Sequence, residues 1–218
     1  MQKIKISLFF NIIIIISVVF ATICMMNGIY FMGEELLLTS TGPGLFKFFT
    51  VQSNVLMGII ALVFAVCEVL VLTKKIKEIH KHLYVLKLIC TVGVVLTFLT
   101  TALFLAPTSS KGYFALFKNA NLFLHLIIPV LSAVTFIFFE KTDKIKFKYV
   151  CLGVVPMLLY GIYYVINIFS HIVDGKVIPE YDWYGFAVGG VYTIFITFPI
   201  MLIVTYLISL ALWKFNKI

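Results

Sequence analysis

Six long apolar runs, separated by short turns that carry most of the charge, constrain this chain more than any other feature. A helix needs about 20 mostly apolar residues to cross the hydrocarbon core of a bilayer, and each run is at least that long. The runs cover residues 6–32, 50–73, 84–106, 119–139, 149–172 and 186–213. The sequence therefore predicts an all-α membrane protein, with residues 1–218 forming a single bundle of six transmembrane helices.

Composition supports the same fold class. Hydrophobic residues make up 62% of the chain and charged residues 12%, against about 45–50% and about 25% in ordinary globular proteins. A soluble domain of this size cannot bury so much apolar surface, whereas a bilayer accepts it. The first run follows two lysines, but it is too long for a signal-peptide core and lacks a small-x-small cleavage site. We therefore expect it to remain as the first transmembrane helix.

The lysine distribution predicts the orientation of the bundle, because the chain contains no arginine. Thirteen of the 17 basic residues fall at the two termini and in the second and fourth turns. They are Lys3, Lys5, Lys74, Lys75, Lys77, Lys81, Lys87, Lys141, Lys144, Lys146, Lys148, Lys214 and Lys217. The positive-inside rule assigns this side, with both termini, to the cytoplasm. We expect an integral multi-pass protein, in the cell membrane if the source is bacterial.

Two partner classes are disfavoured by the same pattern. Topology alone explains the net charge of +8, so we predict no nucleic-acid partner. His80 and His82 flank Lys81 in a basic turn, but two histidines without a nearby third ligand make a poor metal site. The sequence predicts neither a metal nor another cofactor, and it gives no oligomeric state.

A polar stripe opens the second run. Thr50, Ser53 and Asn54 are spaced i, i+3, i+4, so they share one helix face. Small residues continue this face to Glu68, five turns further on at about 3.6 residues per turn. Polar groups at membrane depth are costly and mark candidate functional sites. The proximity of Glu68 to Lys74 favours a side chain that reaches the membrane interface over a proton relay.

A second polar cluster opens the fourth run. Asn121, His125 and Pro129 are spaced by four and share a face, and Asn121 is placed to orient the His125 ring. Both runs start on the predicted outer side, which gives Thr50 and His125 similar depth. A hydroxyl and an imidazole that meet inside the bundle are a candidate nucleophile and general base.

Simpler roles exist for the same residues. Threonine is a common N-cap, so Thr50 has a capping alternative. Asn54 and His125 have the alternative of joining helices by hydrogen bonds. Asn167 and His171, at the end of the fifth run, line the outer mouth of the same pocket or lie at the interface. The pattern predicts a dyad without an evident acidic third member; Asp182, in an outer turn, is a guess at such a member.

The stretch Phe48-Phe49-Thr50-Val51-Gln52-Ser53-Asn54 and the Asn121…His125…Pro129 pattern, on six spans, resemble the androgen-induced protein family. That family includes the androgen-dependent tissue-factor-pathway-inhibitor-regulating protein, and the chain is most similar to the family's bacterial six-span members. The resemblance covers nearly the whole chain by topology, and these two short motifs by sequence. Characterised members are threonine hydrolases that cleave esters between a fatty acid and a hydroxy fatty acid.

The resemblance implies that Thr50 is the nucleophile and His125 its base in an intramembrane lipid-ester hydrolase. Ser53, Asn54 and the first-turn amides would stabilise the oxyanion, and Asn121 would orient the histidine. The expected partner is a membrane lipid or lipid ester. Two alternatives remain: a small-molecule or ion transporter or lipid-binding protein that uses the same polar lining, and a structural subunit in which these residues only join helices.

Overall fold

The computed structural model describes residues 1–33, 40–187 and 189–217. It contains six helices that are long and apolar enough to cross a membrane, so the predicted six-span bundle is confirmed. They are α1 (Gln2–Asn27), α2 (Phe49–Leu72), α3 (Lys81–Leu105), α4 (Ala120–Phe139), α5 (Phe147–Phe169) and α6 (Val191–Lys217). A short antiparallel hairpin follows α5, and each of its strands, β1 (Ile172–Val173) and β2 (Lys176–Val177), has two residues.

The two largest differences from the predicted span boundaries occur where glycines end or delay a helix. α1 stops at Asn27, five residues before the predicted end. Gly28 adopts a left-handed conformation, its N–H bonds to Met25, and the next N–H bonds to Cys24. This is a Schellman termination, which glycine favours. α6 begins at Val191, directly after Gly190 with φ of 107°, rather than at residue 186; Val188 lies outside the described residues.

α3 occupies the centre of the bundle, where it packs against α2, α4, α5 and α6, while α1 packs against α2 and α4. Glycines allow the closest approaches. A Cβ at Gly93 on α3 would lie 3.2 Å from the Cβ of Ser53 on α2, and one at Gly161 on α5 would overlap the ring of Phe198 on α6. Small residues at such crossings are typical of helices that associate within a membrane.

The two ends of the bundle are distinct. Ser7 near the start of α1 and Asn216 near the end of α6 both bond to Glu140, so the two chain termini lie at one end. We call this end the terminal face, and the opposite end, where α2 and α4 begin, the far face. Large apolar side chains are exposed around the bundle, including Phe9, Ile16, Leu62 and Leu159. A surface of this kind suits contact with lipid tails.

α4 departs from regular α-helical geometry around His125. Residues Phe123–Ile127 form a π turn, followed by an α-helical segment from Ile128. Pro129 lacks an N–H, so it cannot donate to the carbonyl four residues earlier, which belongs to His125. The missing bond permits the wider turn. Such π turns within helices are frequent at functional sites.

One lysine assigned to the basic turn lies elsewhere. The sequence pattern groups Lys87 with the charges of the second turn, but its side chain is 0% exposed and lies inside the bundle, against Glu140. The prediction that Lys87 belongs to the turn is wrong because α3 already begins at Lys81. Lys87 is therefore a helical residue, and it lies on a buried face of α3. Removing it leaves twelve lysines on the predicted cytoplasmic side, so the argument for orientation is unchanged.

Candidate functional site

The start of α2 sets the position of Thr50. Phe48 is the N-cap residue, with extended backbone and no side-chain capping bond, and the helix begins at Phe49. Thr50 is therefore the second helical residue, and the alternative that it caps the helix is wrong. The cap is supplied from another part of the chain, because the Phe49 N–H donates to the Tyr184 hydroxyl at 2.9 Å.

Tyr184 is the residue that connects this helix start to the loop before α6. Tyr184 also lines both of the spaces beside Thr50 that are described below. Burial raises the pKa of Tyr184 above its ordinary value. The phenol is thus neutral at pH 7, and it keeps one O–H proton while its oxygen accepts from the helix start.

Asn54 links the helix that carries Thr50 to the helix that carries His125. Its side-chain amide donates to the Thr50 carbonyl at 2.7 Å and to the Leu124 carbonyl at 3.1 Å. The residue is fully buried. Since Leu124 directly precedes His125, this one side chain fixes the relative register of α2 and α4 at the depth of the candidate site.

His125 is held in one ring orientation by the backbone of the preceding loop. The ring is 8% exposed, and its Nδ1 lies 3.1 Å from the Leu116 carbonyl. A carbonyl oxygen only accepts, so Nδ1 carries the hydrogen in this bond, and in the neutral ring Nε2 is then the unprotonated nitrogen. The Leu116 carbonyl therefore orients the ring at Nδ1, and the orienting role of Asn121 stays a prediction. A neutral imidazole with an unprotonated Nε2 is suited to act as a base.

Thr50 and His125 line the same enclosed space. This histidine cavity has a volume of about 30 Å³, which is room for about two water molecules. Its lining is Met25, Phe48, Thr50, Val51, Leu105, Leu116, Asn121, His125 and Tyr184. The two residues predicted to meet are thus on the walls of one cavity, together with the predicted Asn121.

A second cavity lies on the other side of Thr50. This apolar cavity has a volume of about 50 Å³ and shares Thr50, Leu105 and Tyr184 with the histidine cavity. The rest of its wall comes from Phe49, Leu96, Thr97, Thr100, Thr101, Met157, Tyr160, Phe186 and Met201. Thr50 therefore lines both a small space that contains an imidazole and a larger space with mainly apolar walls.

A groove on the side of the bundle leads towards the apolar cavity. It has a volume of about 310 Å³ and lies between α2 and α5, with Phe49 and Tyr160 common to both spaces. Leu56, Leu159 and Tyr163, which line it, are each about half exposed on the surface that faces lipid tails. We call it the side groove. Its shared residues place it directly beside the apolar cavity that Thr50 lines.

Ser53 and Asn54 have roles within the helix. Ser53 donates its hydroxyl to the Thr50 carbonyl at 3.1 Å, and Asn54 donates to the same oxygen. Ser53 lines the side groove. Their described bonds join backbone carbonyls, so these side chains order the first turns of α2, and neither lines the histidine cavity.

Glu68 lies far from this site. It is 2% exposed and accepts from the Asn11 side chain at 3.2 Å, so the prediction that it reaches the interface is wrong. Asn11 gives little signal in the sequence because it stands alone in the first apolar run. Five turns separate Glu68 from Thr50 along α2, which places Glu68 towards the terminal face and outside both cavities at Thr50.

The remaining candidates lie in the loop region of the far face, outside the two cavities. Asn167 donates to the Tyr181 carbonyl at 3.0 Å, and the ring of His171 stacks on Tyr181 at 3.5 Å. The Asp182 carboxylate accepts from the Tyr164 hydroxyl and from the backbone N–H groups of two residues in the same loop. These bonds show that Asp182 stabilises the conformation of the loop that contains Tyr184.

Two features of the site could not be recognised from the sequence. They are the contact of Tyr184 with the start of α2 and the position of three threonines in the wall of the apolar cavity. The sequence predicts only an interfacial aromatic at Tyr184, because nothing in it relates a loop residue to the start of α2. Thr97, Thr100 and Thr101 are expected to bond only to backbone carbonyls, and Thr97 does bond to Val94 at 2.7 Å. All three also line the apolar cavity. Their spacing on one face of α3 is the available signal.

Comparisons with known proteins add no relative. No family model, no curated protein and no solved structure matches this chain. The fold and the arrangement of side chains therefore carry the functional argument.

Proposed function

We propose that this chain is an intramembrane lipid-ester hydrolase in which Thr50 is the nucleophile and His125 is the general base. The observation that carries the proposal is that these two residues, from α2 and α4, line one cavity of about 30 Å³. A hydroxyl and an imidazole on the walls of one cavity, with Nδ1 of the imidazole engaged by a carbonyl, are the groups that a base-activated nucleophile requires. Burial excludes bulk water and strengthens the electrostatic interactions within the site.

In the first half of the reaction, His125 Nε2 takes the proton from the Thr50 hydroxyl as its oxygen attacks the ester carbonyl. The carbon–oxygen bond to the leaving alcohol then breaks, and the imidazolium returns the proton to that alcohol. An acyl group is left on Thr50. The Tyr184 hydroxyl, which neighbours Thr50, donates towards the negative charge that develops on the carbonyl oxygen.

In the second half, a water molecule in the histidine cavity attacks the acyl-threonine. His125 takes a proton from the water, the bond between the acyl carbon and Thr50 breaks, and the proton passes back to the threonine oxygen. The free fatty acid is released. The cavity has room for about two water molecules, which matches the need for a hydrolytic water.

The substrate class follows from the two spaces beside Thr50. A fatty-acyl chain fits the mainly apolar walls of the apolar cavity, and the side groove offers it a lateral path from the bilayer. We propose fatty-acyl esters, such as fatty acid esters of hydroxy fatty acids, as substrates. This agrees with membership of the androgen-induced protein family, which we propose on the two sequence motifs.

We further propose that the terminal face is cytoplasmic, on the lysine distribution. The histidine cavity then lies near the outer surface. We propose the cell membrane as the location.

The test is hydrolysis of a long-chain fatty-acyl ester by the purified protein in liposomes. We expect Thr50→Ala and His125→Ala each to lower the rate by at least about 100-fold, and Thr50→Ser to retain part of it. Thr73→Ala and His171→Ala are the matched controls: Thr73 is an exposed threonine that follows the last residue of α2, and neither residue lines either cavity. Hydrolysis that persists in folded Thr50→Ala protein would refute the proposal.

A transporter remains the second candidate, because charged side chains are buried near the terminal face. Lys87 and Glu140 form a fully buried ion pair with a separation of 3.1 Å, and Glu68 lies beside them. Buried charges within a membrane often mark ion or proton pathways. Solute uptake that depends on Glu68 and is unaffected by Thr50→Ala would favour transport over hydrolysis.

A further inference from the structure

Five polar side chains from four helices meet inside the bundle near the terminal face. We call this group the buried charged cluster: Ser7 and Asn11 from α1, Glu68 from α2, Lys87 from α3 and Glu140 at the end of α4. All five are at least 97% buried. The cluster is separate from the site at Thr50, and its chemistry is independent of the proposed hydrolase reaction.

One carboxylate of the cluster is well paired. Glu140 Oε1 receives the Lys87 ammonium at 3.1 Å, the Asn11 amide at 3.0 Å and the Ser7 hydroxyl at 3.2 Å. Lys87 also donates to the Asn11 side-chain oxygen and lies over the Phe64 ring at 5.0 Å. Lys87 and Glu140 therefore neutralise each other.

The other carboxylate has no cation of its own. Glu68 Oε2 accepts from the Asn11 amide at 3.2 Å, and the Ser7 hydroxyl lies beside it. Two carboxylates and a single ammonium give the cluster a net charge of −1 if all three groups are ionised. An uncompensated carboxylate in a low-dielectric interior is strongly disfavoured, and such a group instead takes up a proton.

A second observation points to the same missing proton. Glu140 Oε2 is buried and, within the described part of the chain, has no hydrogen-bond partner. Buried carboxylate oxygens normally accept at least one bond. The hydroxyl, amide and ammonium donors of the cluster all reach Glu140 Oε1. A protonated Glu68 carboxyl group would add one more donor to the cluster.

Other groups that face the cluster do not provide the missing positive charge. Among the described residues they are Cys67 from α2, Tyr84 from α3, Asn216 from α6 and Lys144. The Lys144 ammonium lies over the Tyr84 ring at 6.0 Å, but it is paired with the Glu78 carboxylate at 2.8 Å and so does not compensate Glu68. A thiol, a phenol and an amide are neutral or can only become negative. Exposed Lys141 directly follows Glu140, so the cluster lies close to the aqueous boundary at the terminal face, from which a proton can exchange.

We propose that the buried charged cluster is a proton-binding site that holds one exchangeable proton on Glu68, which keeps the cluster electrically neutral. If the cluster stays electrically neutral, removing either of the paired charges changes the number of bound protons. Removing the Glu140 charge forces Glu68 to ionise and pair with Lys87. Removing the Lys87 charge forces both carboxyl groups to be protonated.

Infrared difference spectroscopy of the full-length protein in liposomes tests this, because a protonated carboxyl group has a carbonyl band separate from that of a carboxylate. We expect one buried carboxylic acid per chain in the wild type at neutral pH, with a band that shifts on exchange into heavy water. Glu68→Gln and Glu140→Gln should each lose the band, and Lys87→Met should double it. Glu78→Gln is the control, since Glu78 is an exposed carboxylate paired with Lys144 at 2.8 Å.

Two outcomes would overturn the proposal. Wild-type protein without a carboxylic acid band would show that the cluster binds no proton, and this measurement needs no variant to fold. A wild-type band that survives in folded Glu68→Gln protein would move the proton to another group and refute the assignment to Glu68.

Discussion

Asn54 on α2 donates its side-chain amide to the carbonyl of Leu124 on α4, at 3.1 Å. The same amide bonds to the Thr50 carbonyl at 2.7 Å, so one buried group holds the candidate nucleophile next to the residue that precedes the candidate base. Relative placement of this kind governs rate, because a shift of about 1 Å in a reacting group can cost about 100-fold.

Asn54→Asp should therefore lower hydrolysis by about 10- to 100-fold, because a carboxylate cannot donate to either carbonyl. The measurement is the initial rate on a fatty-acyl ester, with the folded state checked by circular dichroism. Ser53→Ala is the matched control: it removes a bond to the same Thr50 carbonyl but none to α4. An Asn54→Asp rate equal to that of Ser53→Ala would contradict the positioning role.

Tyr184→Phe removes the hydroxyl that caps α2 and neighbours Thr50. We expect the free energy of unfolding to fall by about 1 kcal/mol through loss of the capping bond, and the hydrolysis rate to fall by about 10-fold or more. Tyr163→Phe is the control, because Tyr163 is an exposed tyrosine of the side groove. Equal rates in the two variants would exclude Tyr184 as a donor to the reacting carbonyl.

The sign of the pH effect at Tyr184 is also defined. Its pKa is raised in the fold by burial, so the stabilisation due to the neutral phenol is complete below its unfolded pKa of about 10. That stabilisation is lost as the pH rises further. Thermal melts of the wild type should therefore show a decline above about pH 10 that is smaller in Tyr184→Phe.

Lys87 and Glu140 should behave as a coupled pair in a double-mutant cycle. Lys87→Met alone leaves the carboxyl group without its cation and should lower the free energy of unfolding by about 3–5 kcal/mol. Adding Glu140→Gln should restore most of that loss, because an amide at this position needs neither a cation nor a bound proton to be neutral. Unfolding in a denaturing detergent measures both effects. Additive losses would show that the two residues do not stabilise the fold as an ion pair.

Asn119 joins the loop after α1 to the start of α4. Its side-chain oxygen accepts the N–H groups of Phe31 at 2.7 Å and Met32 at 2.6 Å, and its amide donates to Gly33 at 3.0 Å. Its φ is 53°. Asn119→Ala should lose these bonds and strain the backbone, whereas Asn119→Gly loses only the bonds.

We expect the alanine variant to be less stable than the glycine variant by about 1 kcal/mol, the cost of a left-handed conformation for a residue with a Cβ. Thermal unfolding of the two variants gives this difference directly. Equal melting temperatures would mean that the left-handed backbone at residue 119 is not needed for the fold.

The six spans could be predicted from the sequence because apolar run length is a local property. The similar depth of Thr50 and His125 could be predicted too, since both stand near the start of a helix from the same side. The sequence pattern did not predict which residues of different elements contact each other. Tyr184 and the Leu116 carbonyl act on these residues from loops, and no periodicity relates a loop residue to a helix start.

The buried charged cluster is hidden in the sequence for a different reason. Ser7 and Asn11 are single polar residues in an apolar run, and Lys87 stands near the edge of a basic turn, where it resembles a topogenic charge. Only the packing of four helices brings them to Glu68 and Glu140. The Glu68 prediction is wrong because it rests on distance to a membrane boundary, whereas the actual partners lie on other helices.

The central claim is that Thr50 is an activated nucleophile, and the most direct measurement is covalent labelling by a fluorophosphonate followed by mass spectrometry of the peptides. In this reaction the threonine oxygen displaces fluoride from phosphorus and the hydroxyl proton passes to His125. We predict a single phosphonyl adduct on Thr50 in the wild type, absent in His125→Ala and retained in Thr73→Ala and His171→Ala. Folded wild-type protein that is labelled on another residue, or not labelled at all, would contradict the account.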